Sequence, residues 1–248
     1  MKRLPLVLPL LPAVLFATGC HFDHVTHDDD WCDHGCDSHH DTGITRSYDE
    51  VDFDQIEVHS AFHLTVRQSD AFRVSVTVPE GSVDNIQVTR SGSRLRLSME
   101  HGFLDGEVSA VVELPVLRQI AGHDASEVRL DRIRTPDTVT IGLEDASQVD
   151  GELDAGKTVV DLGSTSRATL DGKTAELTLH ASGFSEADLR NLPCRRADVR
   201  LSDASTATID VSERLDVTAS TLSVLHYYGD PHLGRVDLSS GGHIEHEH

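Results

Sequence analysis

A short pattern recurs through the second half of this chain at a nearly fixed period. His123-Asp124-Ala125-Ser126-Glu127-Val128 returns as Glu144-Asp145-Ala146-Ser147-Gln148-Val149, and again as Asp203-Ala204-Ser205-Thr206-Ala207. Weaker copies are Ser164-Thr165-Ser166-Arg167-Ala168, Gly183-Phe184-Ser185-Glu186-Ala187 and Thr221-Leu222-Ser223-Val224-Leu225. The aligned serines, at 126, 147, 166, 185, 205 and 223, are 21, 19, 19, 20 and 18 residues apart. Gly241-Gly242-His243-Ile244 lies one step further. Self-similarity at a period near 20 signals stacked units that cannot fold singly, a solenoid.

Each unit has the same inner grammar. The small-polar turn leads into an alternating run, as in Ala207-Thr208-Ile209-Asp210-Val211, and a Gly, Asp or Pro break follows. A second alternating run comes next, as in Val159-Val160-Asp161-Leu162 or Leu215-Asp216-Val217. Period-two alternation of β-branched and aliphatic residues predicts strands with one apolar face. Two or three short strands per 20 residues form one coil of a parallel β-helix, with coils stacked about 4.8 Å apart. A narrow coil interior filled by Val, Leu and Ala also accommodates an aromatic content of only 4%. The competing architecture is an antiparallel sandwich with hairpins every ten residues. Repetition of the whole twenty, turn included, favours the solenoid.

Residues 48–121 alternate less regularly. Phe53 to Val66 reads as strand, small-residue turn and strand, and further runs lie at Phe72 to Val78, Ile86 to Val88, Leu95 to Met99 and Val108 to Leu114. These predict irregular early coils of one continuous body, with a strand-rich cap as the other possibility.

The N-terminal region is of a different kind. Lys2 and Arg3 precede an apolar run, Leu4 to Phe16, that is broken by Pro5, Pro9 and Pro12. It is shorter than the roughly 20 residues a membrane span needs and predicts a secretory signal over residues 1–19. Ala17-Thr18-Gly19-Cys20 resembles a bacterial lipoprotein box, with Ala17 where Leu is usual. Cys20 then becomes a lipidated N-terminus, held in the membrane by several acyl chains, and His21 after it favours the outer membrane. Residues 20–47 predict a tether too polar to offset its ordering entropy. The tether carries His21, His24, His27, His34, His39 and His40 among seven Asp residues, together with Cys32 and Cys36. These are zinc- or nickel-type ligands, although the C-x3-C spacing lacks a second paired element. A local Cys32–Cys36 disulfide competes with metal binding outside the cytosol, and a plain solvated tether is the third reading. The body is predicted over 48–244, with 245–248 as a polar tail. His243 to His248 repeats the His density of the tether and reads either as a second weak metal segment or as a hydrophilic end.

The charge excludes several partners. A net charge of -21 argues against electrostatic nucleic-acid binding and against adhesion to anionic lipid through basic residues. The Asp run of the tether fails the calcium-loop pattern, because the required Gly and terminal Glu are missing. There is no nucleophile elbow, phosphate-binding Gly loop or dinucleotide fingerprint.

His59-Ser60-Ala61-Phe62-His63-Leu64-Thr65-Val66, the serial Asp-Ala-Ser units and Val224-Leu225-His226-Tyr227-Tyr228-Gly229-Asp230-Pro231 resemble the putative auto-transporter adhesin, head GIN domain family. The resemblance runs from about residue 50 to 244. It implies a right-handed parallel β-helix in an envelope-exposed bacterial protein, often a lipoprotein, and brings no catalytic residues. Asp stands here where Gly is usual before Ala-Ser.

Three functional readings follow. The first is a non-enzymatic, lipid-anchored adhesin or envelope scaffold that contacts a protein or glycan. The second is a polysaccharide-acting enzyme, with Asp124 and Asp145 on adjacent coils as acid and nucleophile. The competing role for those acids is a turn ladder in which Asp and Ser side chains bond backbone, and their shared motif favours it. The third is an envelope metal-binding protein working through its tether. His226, Tyr227 and Tyr228 close a late coil or stack on a ligand. Cys194 is expected to be buried, and oligomeric state is open.

Overall fold

The structure is a computed structural model and describes residues 43–100 and 106–248. Among the described residues strand makes up 68% and helix 3%, in a β-solenoid of about seven turns. The all-β parallel coil read from the repeat is therefore the architecture observed.

Five long strands carry the regular coils: β9 (Glu127–Leu143), β10 (Gln148–Leu162), β11 (Arg167–Ala181), β12 (Glu186–Leu201) and β13 (Thr206–Ala219). Each pairs in parallel with the next. Between β9 and β10 the register breaks at Gly151/Leu153 and again at Ala155/Lys157. These bends and the Asp-Ala turn divide the coil into three sides. Gly151 has φ +137, and a Cβ there would lie 2.1 Å from the Leu130 carbonyl oxygen one coil below. Only glycine lets the two backbones approach this closely while the chain turns.

Inward residues stack in columns. In-register pairing aligns Ile56, Ile120, Ile141, Val160, Leu179, Val199 and Val217 on one side, and the column ends at Val236, which is exposed on the last coil. A second column runs through Leu64, Val128, Val149, Ala168, Ala187, Ala207, Leu225 and Ile244. Its three central alanines keep the interior narrow, so few large rings are required. These columns belong to one continuous apolar core.

Three strands complete the late coils. They are β14 (Val224–Tyr228), β15 (His232–Leu238) and β16 (His243–His246), with β15 on β13 and β16 on β14.

The early region departs from simple coil order. β2 (Gln55–Val58) and β3 (His63–Gln68) form the first coil. They stack directly on β8 (Gln119–Gly122) and β9, some sixty residues later in sequence. The intervening chain folds back over the other side. β6 (Arg94–Met99) pairs with β2 and β7 (Ser109–Leu114) pairs with β3, both in parallel. Antiparallel strands then cover these. β5 (Ile86–Ser91) lies on β6, β4 (Arg73–Val78) on β7, and β1 (Ile44–Tyr48) on β4. A 3-10 helix, Glu80–Asn85, joins β4 to β5. Where the sequence favours irregular early coils, with a strand-rich cap as the other possibility, the structure has one coil, the parallel layer of β6 and β7, and an antiparallel cap that covers the edge of the stack.

Two boundaries shift as well. β1 begins at Ile44, within the segment read as tether, because residues 44–48 find hydrogen-bonding partners on β4. The supposed polar tail from 245 continues β16, and the Glu247 amide still donates to the Tyr227 carbonyl at 2.9 Å. Polar composition did not prevent pairing at either edge, because the ladder is made by backbone N–H and C=O groups and does not require apolar side chains.

Candidate functional site

The repeated motif forms one corner of the solenoid. In every regular coil the two central turn residues have positive φ: Asp124 and Ala125, Asp145 and Ala146, Ser164 and Thr165, Gly183 and Phe184, Asp203 and Ala204, Thr221 and Leu222. This is the two-residue left-handed turn that Asp, Asn and Gly tolerate best. The amide of the following serine closes it, as in Ser126 to the His123 carbonyl at 3.3 Å.

The corners bond to one another through backbone. Ala125 donates to the Asp145 carbonyl at 2.8 Å, Ala146 to Ser164 at 2.9 Å, Thr165 to Gly183 at 2.8 Å, Phe184 to Asp203 at 3.0 Å and Ala204 to Thr221 at 2.8 Å. The serine after each turn points inward and is buried. The Ser205 hydroxyl donates to the Ala181 carbonyl at 2.9 Å, and that of Ser223 to the Leu201 carbonyl at 3.1 Å. The ladder read from the sequence is therefore present, but backbone and serine make it. The Asp carboxylates point outward, where Asp203 accepts from the Ser202 hydroxyl and Asp124 meets His59. Asp is there for its conformation.

Two apolar side chains break the corner row. Phe184 is 72% exposed and Leu222 69% exposed, at the position that other coils fill with Ala or Thr. A bulky residue in a left-handed conformation costs backbone energy, and exposure returns little in burial.

The flat sides carry exposed ion pairs between neighbouring coils, such as Arg67–Asp131 at 3.2 Å and Arg167–Glu186 at 2.6 Å. The concavities are open grooves between such rows, one of them lined by Asp161, His180, Arg200 and Ser202. Two clusters among the described residues could hold a metal ion: Glu57, His59 and His123, and His226, Glu245 and Glu247. In the first, His59 bridges Glu57 at 2.8 Å and Asp124 at 3.2 Å and stacks on His123 at 4.6 Å. The His59 hydrogen bond, with Arg96 and Arg94 nearby, holds the Glu57 carboxyl below its usual range.

A model of the family described as "Putative auto-transporter adhesin, head GIN domain" matches residues 52–231. The chain belongs to this family. Its head GIN domain also resembles solved structures. A putative adhesin from Bacteroides fragilis is 20% identical with a TM-score of 0.73, over 83% of this chain and 97% of that one. A putative lipid binding protein from Parabacteroides distasonis is 17% identical with a TM-score of 0.62, over 84% and 97%. A putative adhesin from Parabacteroides merdae is 11% identical with a TM-score of 0.58, over 84% and 97%. Identities this low establish the fold. No curated protein matches the sequence.

The residues expected to carry lipid or metal at the N-terminus, Cys20 and His21, His24, His27, Cys32, His34, Cys36, His39 and His40, lie outside the described residues. Within the head GIN domain, Tyr227 is buried in the core and stacks on His246 at 4.8 Å. Cys194 is buried, and burial with Asp210 nearby pushes its thiol up to about 12, so it stays a protonated, unreactive core residue. Neither cluster was assembled from the linear sequence, although residues 243–248, which hold Glu245 and Glu247, read either as a weak metal segment or as a hydrophilic end. The signal was the coil period itself, since Glu245 follows His226 by 19 residues, one coil step.

Proposed function

We propose that this protein is a lipid-anchored adhesin of the bacterial cell envelope, held by Cys20 and without catalytic activity. Its head GIN domain meets a protein partner along the corner ridge. The carrying observation is the pair of exposed knobs, Phe184 and Leu222, two coils apart on a hydrogen-bonded corner. Maintaining bulky apolar residues in left-handed backbone, exposed to water, opposes both stability and solubility. A contact function accounts for their exposure, and the family description supports it.

The turn acids support no hydrolase. Asp124 and Asp145 occupy equivalent places in successive copies of one turn. Among the described residues, the carboxyls that the fold does perturb, Glu57 and Asp216, are both pushed down, opposite to what a general acid requires.

Two experiments test this reading. Fatty-acid labelling in the native bacterium should be lost in Cys20→Ala, and retained labelling would sink the anchor. A photocrosslinker placed at Leu222 should capture a defined envelope protein that the same group at Lys157, on a flat side, does not. Identical products from both positions would remove the ridge from consideration.

A further inference from the structure

We propose that His226, Glu245 and Glu247 form a zinc site on the outer face of the last coil, separate from the His/Asp-rich segment near the N-terminus. His226 on β14 stands directly opposite Glu245 on β16. Glu247, two residues further, projects from the same face, and side chains at such diagonal positions remain within reach. The His226 Nδ1 lies 2.9 Å from Glu247 Oε1 and 3.2 Å from Glu245 Oε2. All three donor atoms fall within 4.8 Å of one another. A tetrahedral zinc ion with arms of 2.0–2.1 Å has ligand-to-ligand edges of about 3.4 Å. The existing spacing therefore needs only small adjustment to admit the ion.

Charge separates this cluster from the one around Glu57. There the carboxylate already meets Arg94 at 3.2 Å and Arg96 at 3.8 Å, so its negative charge is balanced. Among the described residues, Glu245 and Glu247 have only histidines as ion-pair partners. Two carboxylates converge on one imidazole nitrogen, and a single proton there leaves net negative charge. A divalent cation in its place balances both. One imidazole with two carboxylates suits zinc and keeps a fourth position open to water or another ligand.

The surroundings pre-position the donors. The Glu247 amide donates to the Tyr227 carbonyl, which keeps the strand paired. On the opposite face His246 stacks on Tyr227 and donates from Nε2 to the Gly229 carbonyl at 2.7 Å. His243 Nε2 sits 3.2 Å from Glu245 Oε1 and can orient that carboxylate from outside the metal shell.

The test titrates zinc alone, by calorimetry, into the full chain with the His and Cys residues at positions 21–40 replaced by Ser. One ion per chain with a dissociation constant on the order of micromolar is expected, near -8 kcal/mol by the standard conversion. His226→Ala and Glu247→Gln, made in that background and checked for unchanged circular dichroism, should each weaken binding roughly tenfold or more. Glu247→Gln preserves shape and guards against a folding artefact. Millimolar binding in the parent, or unchanged affinity in either variant, would overturn the site.

Discussion

The amide of Ala125 donates to the carbonyl of Asp145 at 2.8 Å, and both residues are left-handed. This conformation turns each corner carbonyl toward the neighbouring coil, so turn and stacking interaction are one feature. It also says which substitutions the corner welcomes. Leu222 has φ +63 and is largely exposed. Leu222→Gly should raise stability by about 0.5–1 kcal/mol, since relief of left-handed strain exceeds the entropy glycine adds to the unfolded chain. Urea denaturation would read this directly, and a lower midpoint would count against the account of the corner.

The inward serines should not be equivalent. Ser205 donates to the Ala181 carbonyl at 2.9 Å, whereas the buried Ser166 hydroxyl has no partner among the described residues. Ser205→Ala should cost about 1 kcal/mol, while Ser166→Ala should be neutral or mildly stabilising. Equal losses at both positions would mean that the serines act through size alone.

Backbone approach makes Gly151 irreplaceable. A Cβ would meet the Leu130 carbonyl oxygen at 2.1 Å, and φ is +137. Gly151→Ala should destabilise by about 3 kcal/mol or more, combining overlap with left-handed strain. A variant with an unchanged urea midpoint would show that the coil can spread at this bend.

Acid should weaken the late coils through Asp216. Its bonds from the Arg214 side chain, and then from the Arg235 amide, bring its pKa from 3.8 to about 2. A carboxyl depressed in the folded state contributes stability above its unfolded pKa and loses that contribution as pH falls through the folded value. The loss therefore falls between about pH 4 and pH 2, and Glu57 acts in the same sense. Asp216→Asn should be less stable than the parent at pH 5, with the gap closing toward pH 2. A gap that stays constant over that interval would exclude the linkage.

Cys194 should resist thiol reagents. Its thiol is buried and raised to about 12. Peptide mapping after maleimide treatment should find it unlabelled in the native chain and labelled in urea. Rapid native labelling would contradict the packing of β12.

Much of this was legible in the sequence. The steps between Ser126 and Ser223 gave the coil, and the alternation from Val128 to Val217 gave its inner face. Asp-Ala-Ser marked the corner, although Asp was expected to bond through its side chain and instead supplies a backbone conformation. A strand-rich cap is one of the two readings of residues 48–121, but its antiparallel pairing was not legible. β2 contacts β8 across some sixty residues, and no period records a contact of that range. The His226–Glu245–Glu247 cluster was also hidden, because residues 19 and 21 apart become neighbours only when the coil closes in register.

The sequence alone determined the repeating unit, its inward columns and its corner. These rest on local conformational preference and on burial at a fixed period, both written into consecutive residues. Tertiary structure decided how the stack begins, which strand edges are covered and which side chains meet across coils. Those outcomes depend on the register between distant segments, which is set by the shape of the assembled core.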